Sequence, residues 1–319
     1  MKKTLYIVAL GLLAVSTAYA GDTEKTGKIK FRGLKSVDAF NISYAKFSPF
    51  NNEDNQRHGH GIGLKARIRP ARIGKVDAGG YFSYSRGKGH TYKKSKDRWS
   101  HYEYNIIGGG ASGVYNYTEN TEVSLDLGLL HQKTEYWVPD KFASHQKENQ
   151  WEIGSEFLTE QRRADGKLWF PQWSVNMHYV HPFDVSYSDT KGRGDDYAYD
   201  NRRISAGIAF DIYDWYVGDG GYWRITPTAN LSLGYIWGKS SGFLQGGLGT
   251  KLAWYDQEMI DVKFFNPRWM FEGNGSRLYD FMGTAKLDNI WFAIRAAQTE
   301  TYISKRERAA MIAQASSAE

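Results

Sequence analysis

The fold of this chain is decided by the stretch YWRITPTANLSLGYIWG, residues 222–238. Apolar and aromatic side chains occupy every second position from Trp223 to Trp237, and the positions between them from Arg224 to Gly234 carry Arg224 and then small or polar residues. This period of two predicts a β-strand with one apolar and one polar face. The stretch exceeds an ordinary strand of about 5–6 residues and covers the roughly 9–11 that cross a bilayer. Aromatic residues at both ends fit the two membrane interfaces, so the pattern predicts a membrane-crossing strand.

The same alternation recurs along most of the chain. In GIGLKARI (61–68), Lys65 and Arg67 alternate with apolar residues, and in TEVSLDLGL (121–129), Asp126 lies between leucines. Counting such segments predicts an all-β chain of twelve antiparallel strands. The predicted strands cover 36–48, 58–70, 74–86, 101–117, 120–136, 149–162, 167–182, 200–214, 221–238, 242–256, 258–272 and 276–287.

Composition agrees with strands that contact lipid on one face. Aromatic residues make up 15% of the chain and there are 34 glycines, yet the mean hydropathy is −0.58. Beyond the N-terminus there is no apolar run of about 18 residues, so no spanning helix is predicted. The net charge of +6 is far from the balance of a nucleic-acid binder, and we expect no nucleic-acid partner. A secreted β-sandwich is the competing fold.

An export signal is predicted at residues 1–20. A basic start and a short apolar run precede Ala18-Tyr19-Ala20, which matches the small-x-small pattern cut by signal peptidase. The chain has no cysteine, which excludes a disulfide framework. We therefore predict a periplasmic lead-in at 21–35, a transmembrane barrel at 36–297 and a short periplasmic C-terminal tail at 298–319.

These alternating segments and the signal resemble those of bacterial outer-membrane β-barrel proteins as a class. The resemblance covers nearly all the mature chain and singles out no family. Outer-membrane phospholipases and omptin proteases are about this long, but their catalytic constellations are not found here. The resemblance implies an outer-membrane location, assembly by the barrel-assembly machinery, and contact with outer-membrane lipid and lipopolysaccharide. We predict no catalytic residue, cofactor or metal site.

The lengths of the connections predict orientation. Those at 49–57, 87–100, 137–148 and 183–199 are long and polar, whereas the intervening ARI, TE and RADG are tight. Transmembrane barrels have long extracellular loops and short periplasmic turns, so both termini are expected in the periplasm. The sequence leaves two alternatives for the segment that closes the barrel. Residues 290–294 could form the closing strand, or Asp288 could cap a helix, and a further strand at 27–35 would allow a count of fourteen.

Parity, meaning whether a residue falls on the apolar or the polar positions of the two-residue period of its strand, places charged side chains of both signs inside the barrel. A basic ladder on one strand is expected to face acidic ladders across the lumen and to create a transverse field. The predicted lumen and selectivity residues are Lys65, Arg67, Arg69, Glu122, Asp126, Glu152, Glu156 and Arg224. Two interpretations follow, a narrow channel for small hydrophilic solutes or oligosaccharides and a lumen closed by ion pairs.

Histidines mark the outer rim of the predicted barrel. His58, His60, His131 and His181 share the outward parity of neighbouring apolar residues. Such residues could bind a transition metal, act as the general base of an enzyme that modifies lipid or lipid A, or respond to pH. The simpler interpretation is an interfacial belt without chemistry. The alternatives to a channel are therefore an outer-membrane enzyme and a closed structural or surface-interaction barrel.

Three further segments have specific interpretations. The glycine-rich IIGGGASG (106–113) has no following helix or Lys-Ser/Thr, so it is expected to permit a bend or to leave space for a neighbouring side chain or an inner plug. The basic segment at 88–99 suits lipopolysaccharide phosphates or an acidic glycan. The acidic segment at 187–200 could hold Ca²⁺, although it lacks EF-hand spacing and a solvated loop is the simpler expectation.

Overall fold

A computed structural model shows twelve long strands that pair antiparallel in chain order and close into one ring. It describes residues 30–31, 37–48, 55–93, 98–118, 120–161, 168–218, 222–265, 268–271 and 279–299. The ring strands are β1 (Val37–Ser48), β2 (Asn55–Ile73), β3 (Val76–Lys93), β4 (Arg98–Thr118), β5 (Thr121–Val138), β6 (Phe142–Glu160), β7 (Gln172–Asp189), β8 (Arg203–Asp211), β9 (Trp223–Ile236), β10 (Ser241–Trp254), β11 (Gln257–Phe265) and β12 (Tyr279–Lys286).

Closure of the ring comes from the last strand. β12 pairs with β11 on one side and with β1 on the other, from Tyr279 opposite Ser48 to Lys286 opposite Asn41. Closure removes the edges that an open sheet would leave unpaired, which a membrane requires. The predicted all-β barrel of twelve antiparallel strands is confirmed, and the alternative count of fourteen is wrong. Trp215–Val217 continues the pairing of β8 along β9, and Arg268–Met270 continues that of β11 along β10. The short strand Lys30–Phe31 pairs with β2 outside the path of the ring.

The alternation in the sequence becomes the two faces of the barrel wall. On β9, Leu233 exposes 55% of its surface to the outside, whereas Arg224 exposes 4% and faces inward. Leucine, valine and isoleucine are exposed in the same way on the outer faces of β2, β5, β7 and β10. An exposed apolar band around a closed ring is the surface that hydrocarbon requires.

The two ends of the barrel differ. The end of the barrel where β2 meets β3 through Gly74 and Lys75 is called the turn end, and the opposite end is called the loop end. Gly74 has a φ of +60°, and the turn between β10 and β11 places Tyr255 and Asp256 at φ +48° and +58°, as a tight hairpin requires. The predicted RADG turn lies outside the described residues.

At the loop end, strands run far into the expected loops. Most of the predicted loop at 137–148 is strand, because β5 continues to Val138 and β6 begins at Phe142. β3 likewise continues to Lys93, and β7 to Asp189. These loop predictions are corrected for a physical reason. Polar side chains on both faces mark where lipid contact ends, but the backbone still satisfies its hydrogen bonds by pairing.

The segment after β12 forms a helix, α1 (Leu287–Thr299), at the turn end. The Asp288 carboxylate accepts a hydrogen bond from the backbone N–H of Phe40 on β1 at 3.0 Å, and the Asn289 amide donates to the Glu258 carbonyl on β11 at 2.7 Å. The ring therefore ends at Lys286, and the alternative of a closing strand at 290–294 is wrong. No helix among the described residues is long and apolar enough to cross a membrane. The predicted signal at 1–20 and the tail beyond 299 lie outside the described residues.

Candidate functional site

The basic ladder of β2 lies on the inner face and meets a carboxylate on the same wall. Asp126 of β5 accepts hydrogen bonds from Arg67 at 2.6 and 3.0 Å and from Lys65 at 3.2 Å. Ser112 of β4 donates to its other oxygen at 2.6 Å and accepts from Arg69 at 3.0 Å. The three bases are thus held along a quarter of the ring, from β2 to β5. The predicted field across the lumen is partly neutralised within one wall.

A second contact runs parallel to this cluster through a row of residues in register. Tyr81 of β3, Gly110 of β4, Gly128 of β5 and Glu152 of β6 lie opposite one another in turn. Because the two middle residues have no side chain, the Tyr81 ring lies along the wall and its hydroxyl donates to Glu152 at 2.7 Å. The glycines of the IIGGGASG segment therefore leave space for a neighbouring side chain, one of the alternatives from the sequence.

Glu152 also bonds a histidine from the next strand. Its other oxygen lies 2.7 Å from Nε2 of His178 on β7. Lys65 lies 5.1 Å from the centre of the Tyr81 ring, which joins this row to the basic cluster. Both oxygens of the Glu152 carboxylate therefore have a hydrogen-bond partner, which offsets the cost of burying this polar group in the wall.

The opposite side of the ring carries a cluster of its own. Lys251 of β10 lies 2.8 Å from Asp211 of β8 and 3.6 Å from Glu258 of β11, and Lys286 of β12 lies 2.6 Å from the same glutamate. These two lysines and two carboxylates form one network of ion pairs. This cluster forms part of a polar cavity of about 330 Å³ that Glu156 of β6 also lines.

The remaining predicted lumen residues differ in their surroundings. Arg224 is buried at the turn end, 3.8 Å from Asp214 and 3.6 Å from Asp256, so it ties the turns together and does not line an open passage. Glu122 lies near the turn end of β5, opposite Asn116 of β4. Parity did not single out Tyr81 or His178 as partners of Glu152, because contacts between side chains of different strands depend on register.

The size of the ring limits what can pass. Twelve strands, about 4.8 Å apart and tilted by about 40°, form a ring roughly 24 Å across between opposite backbones. The ion pairs described above join strands at most three apart, so they run around the wall. These ion pairs therefore do not cross the centre of the lumen, which can hold water beside the charged side chains of the wall.

The predicted outer-rim histidines fall into separate groups on the outer face. His58 lies opposite His90 of β3, with ring centres 5.2 Å apart, and His90 lies 6.1 Å from His101 of β4. His60 lies one pleat nearer the apolar band, opposite Lys88. Among the described residues, no group of three His, Asp or Glu side chains is placed to hold a metal ion.

The other two predicted histidines lie on β5 and β7. Nδ1 of His131 lies 2.9 Å from the Asn149 amide oxygen, and the Asn149 amide donates to Asp184 at 2.6 Å. His181 bonds the Tyr179 hydroxyl at 3.1 Å on its own strand. The structure therefore does not bring His58 and His60 together with His131 or His181.

The acidic segment after β7 uses its carboxylates for local bonds. Asp189 accepts from the Arg193 guanidinium at 2.6 Å and from two backbone N–H groups, and Asp195 accepts the N–H of Tyr187 at 2.6 Å. Asp200 pairs with Arg202. These carboxylates tie the loop to itself, as expected of a solvated loop.

No family model matches this chain, and no curated protein matches its sequence. Among solved structures, the chain is similar to the transport unit of the autotransporter AIDA-I from Escherichia coli, with 12% identity, 88% of this chain and 97% of that chain covered, and a TM-score of 0.46. It is also similar to the translocator domain of autotransporter NalP from Neisseria meningitidis, with 11% identity, coverage of 86% and 93%, and a TM-score of 0.43.

A third similar structure is the KdgM porin in complex with disordered oligogalacturonate, with 10% identity, coverage of 77% and 98%, and a TM-score of 0.33. All three are outer-membrane β-barrels, the class that the sequence resembles, and none assigns this chain to a family. The fold itself rests on the closed ring of twelve strands described above.

Proposed function

We propose that this protein is a narrow outer-membrane channel for small hydrophilic solutes, with the loop end outside the cell and both chain termini in the periplasm. The location is supported by the exposed apolar residues around the outer face of a closed ring. A water-soluble protein would not expose so many contiguous leucine, isoleucine and valine side chains. Strands that continue into the polar segments at the loop end support the orientation, because such barrels have longer excursions on the extracellular side.

The channel role is carried by one observation, the arrangement of charge inside the ring. The ion pairs of the lumen run around the wall, and a polar cavity of about 330 Å³ lies beside the Lys251 cluster. Charged groups that line a narrow lumen need water or a partner, because an isolated buried charge is costly. Pairing along the wall supplies the partner and leaves the centre to water and solute.

Charge balance predicts the selectivity of this channel. Beside β2, Lys65 and Arg67 both contact the carboxylate of Asp126. The cavity beside Lys251 is instead lined by three lysines and four carboxylates: Lys251, Lys263, Lys286, Asp211, Glu258, Asp261 and Glu156. Positive charge is thus concentrated on the β2 side of the lumen, and charged side chains that line a narrow lumen set its ion preference. We therefore propose a weak preference for anionic solutes, including short acidic oligosaccharides.

Planar-bilayer recordings of the refolded protein test this function. We expect discrete conductance steps and a reversal potential, under a salt gradient, that indicates anion preference. Arg67→Gln removes one lumen cation and should move the reversal potential toward cations. Arg86→Gln is the matched control, since Arg86 belongs to the neighbouring strand but lies on the outer face, bonded to Glu103 at 2.9 Å.

Two results would contradict the proposal. Silence of a folded barrel, verified by heat-modifiable electrophoretic mobility, would favour the closed structural or surface-interaction barrel. An equal shift of the reversal potential in Arg67→Gln and Arg86→Gln would show that the lumen charge does not set selectivity.

A second candidate function, an enzyme acting on lipid or lipid A, has one observation in its favour. The relay from His131 through Asn149 to Asp184 orients an imidazole on the outer face at the loop-end side of the apolar band. An oriented imidazole is a general base in many enzymes. Mass spectra of lipid A and phospholipids from cells with the protein, with His131→Gln and without the protein test this role, and identical spectra would exclude it.

A further inference from the structure

Three histidines form a straight row on the outer face near the loop end. His58 of β2, His90 of β3 and His101 of β4 lie directly opposite one another in register, and the row ends at Trp137 of β5. The His101 ring stacks on Trp137 with centres 5.4 Å apart, and Trp99 packs edge-on against His90 at 4.9 Å. The channel function uses none of these side chains.

A second row of bases lies one pleat closer to the apolar band. Lys46 of β1, His60 of β2 and Lys88 of β3 are opposite one another in register. The two rows line a shallow cavity of about 450 Å³, and within the part of the chain that the structure describes its lining contains no carboxylate. Glu103, which lies opposite Lys88, is bonded to Arg86. We call these two rows, Lys46, His58, His60, Lys88, His90 and His101, the basic patch.

The position of the basic patch relative to the apolar band is defined by register. One pleat below Lys46 and His60 lie Tyr44 and Ile62, both exposed on the outer face. Exposed apolar residues and exposed basic residues are thus separated by two positions along a strand, a distance of roughly 7 Å. A basic surface that starts where hydrocarbon contact ends lies at the level of lipid headgroups.

The geometry favours an extended anion over a metal ion. Ligands of one transition metal must place their nitrogens about 2.0–2.1 Å from the same point. The three rings instead lie in a line, with successive centres 5.2 and 6.1 Å apart. A row of N–H donors with ammonium groups beside it matches several phosphate oxygens spread over a headgroup. The indole rings of Trp99 and Trp137 offer flat apolar faces to a sugar.

We propose that the basic patch binds the phosphorylated sugar headgroup of a glycolipid of the outer leaflet, the chemistry of lipopolysaccharide. Lys46 and Lys88 contact the phosphate charge, the histidines donate hydrogen bonds, and the tryptophans contact the sugar rings. The patch would then hold one lipid on the outer face of β1–β4, and β2 among these strands also carries the basic ladder of the lumen. This inference is independent of whether the lumen conducts.

Lipid binding by the full-length refolded protein in a zwitterionic detergent tests the proposal, with native mass spectrometry to count bound lipid. The probes are lipid A with two phosphates, its enzymatically dephosphorylated form, and inorganic phosphate. We expect the phosphorylated lipid to bind at least about tenfold more tightly than the dephosphorylated one, because each surface lysine contributes to attraction of anionic lipid.

A pair of double variants makes the result specific. Lys46→Gln with Lys88→Gln should weaken binding of the phosphorylated lipid by about tenfold to thirtyfold. Lys141→Gln with Lys147→Gln, two exposed lysines of the β5–β6 hairpin, should leave binding within about twofold, since the lost charge is the same but lies elsewhere. Heat-modifiable mobility verifies that each variant is folded.

The outcomes separate the possible sources of phosphate. An equal loss of affinity for the phosphorylated lipid in the two double variants would show a general attraction to charge and would overturn the proposed binding site. Equal affinity for the phosphorylated and dephosphorylated lipids would overturn the phosphate recognition. Saturable binding of inorganic phosphate that displaces the lipid would assign the patch to a free anion and would overturn the lipid headgroup as its ligand.

Discussion

Replacement of Asp126 by asparagine tests the architecture of the lumen wall most directly. Its carboxylate accepts four hydrogen bonds, two from Arg67 and one each from Lys65 and Ser112. The Asp126 side chain is 7% exposed, whereas Arg67 and Lys65 are 26% and 35% exposed. Water therefore screens the two cations, and the lysine contact in particular is expected to contribute little.

These contacts give the expected cost. The Arg67 contact is worth about 2 kcal/mol and the Ser112 contact about 1 kcal/mol, and the screened Lys65 contact adds at most about 0.5 kcal/mol. The asparagine carbonyl keeps one acceptor, which returns about 1 kcal/mol. Asp126→Asn should therefore lower the free energy of unfolding by about 2–3 kcal/mol, a large share of a total of about 5–15 kcal/mol.

Denaturant unfolding in lipid vesicles measures this cost in a double-mutant cycle. Arg67→Gln alone should cost about 1–2 kcal/mol, because Asp126 keeps its bonds to Lys65 and Ser112. The double variant should cost about 1 kcal/mol less than the sum of the two single variants, since both remove the same contact. Additivity within about 0.5 kcal/mol would refute the shared contact. In planar bilayers, Asp126→Asn should increase anion preference, opposite to Arg67→Gln.

Three further predictions concern other parts of the barrel. Gly87→Ala would place a Cβ 2.5 Å from the Tyr104 ring and should destabilise the fold by about 1–3 kcal/mol, whereas the cost should shrink in a Tyr104→Ala background. Asp288→Ala removes the acceptor for a β1 N–H and should speed proteolysis of α1 while the barrel stays heat-modifiable. The Arg202 guanidinium lowers the pKa of Asp200, so this pair stabilises the fold above the unfolded-state pKa of about 3.9, and the contribution is lost as the pH falls below it. The difference in unfolding free energy between wild type and Asp200→Asn, at most about 1 kcal/mol near neutrality, should vanish toward pH 2.

The glycine-rich segment shows how far sequence reasoning reaches. The absence of a following helix excludes a phosphate loop in IIGGGASG, and glycines inside a strand predict a bend or a close approach. Which residue approaches depended on register. Gly110 and Gly128 lie in one row between Tyr81 and Glu152, so the phenol of one strand reaches the carboxylate of another three strands away.

The loop end shows where the same reasoning fails. Alternation of apolar and polar residues ends where lipid contact ends, so the sequence predicted loops there. β5 and β6 nevertheless continue pairing to a short turn between Val138 and Phe142. Backbone hydrogen bonds need a partner strand and do not need an apolar face, and hydropathy carries no information about them.

The sequence by itself determined the all-β barrel, the antiparallel order of its strands and the face of most side chains, whereas it left the closing strand and a count of fourteen open. The reason is that the two-residue period of a strand is a local property of the backbone, and short connections force antiparallel neighbours. Only the tertiary structure decided which side chains meet. Arg67 with Asp126, Tyr81 with Glu152, and the row from His58 to His101 all depend on the stagger between strands. Stagger is set by the turns, by bulges such as the one between Ile68 and Ala71, and by closure of the ring, none of which shows in the alternation of a single strand.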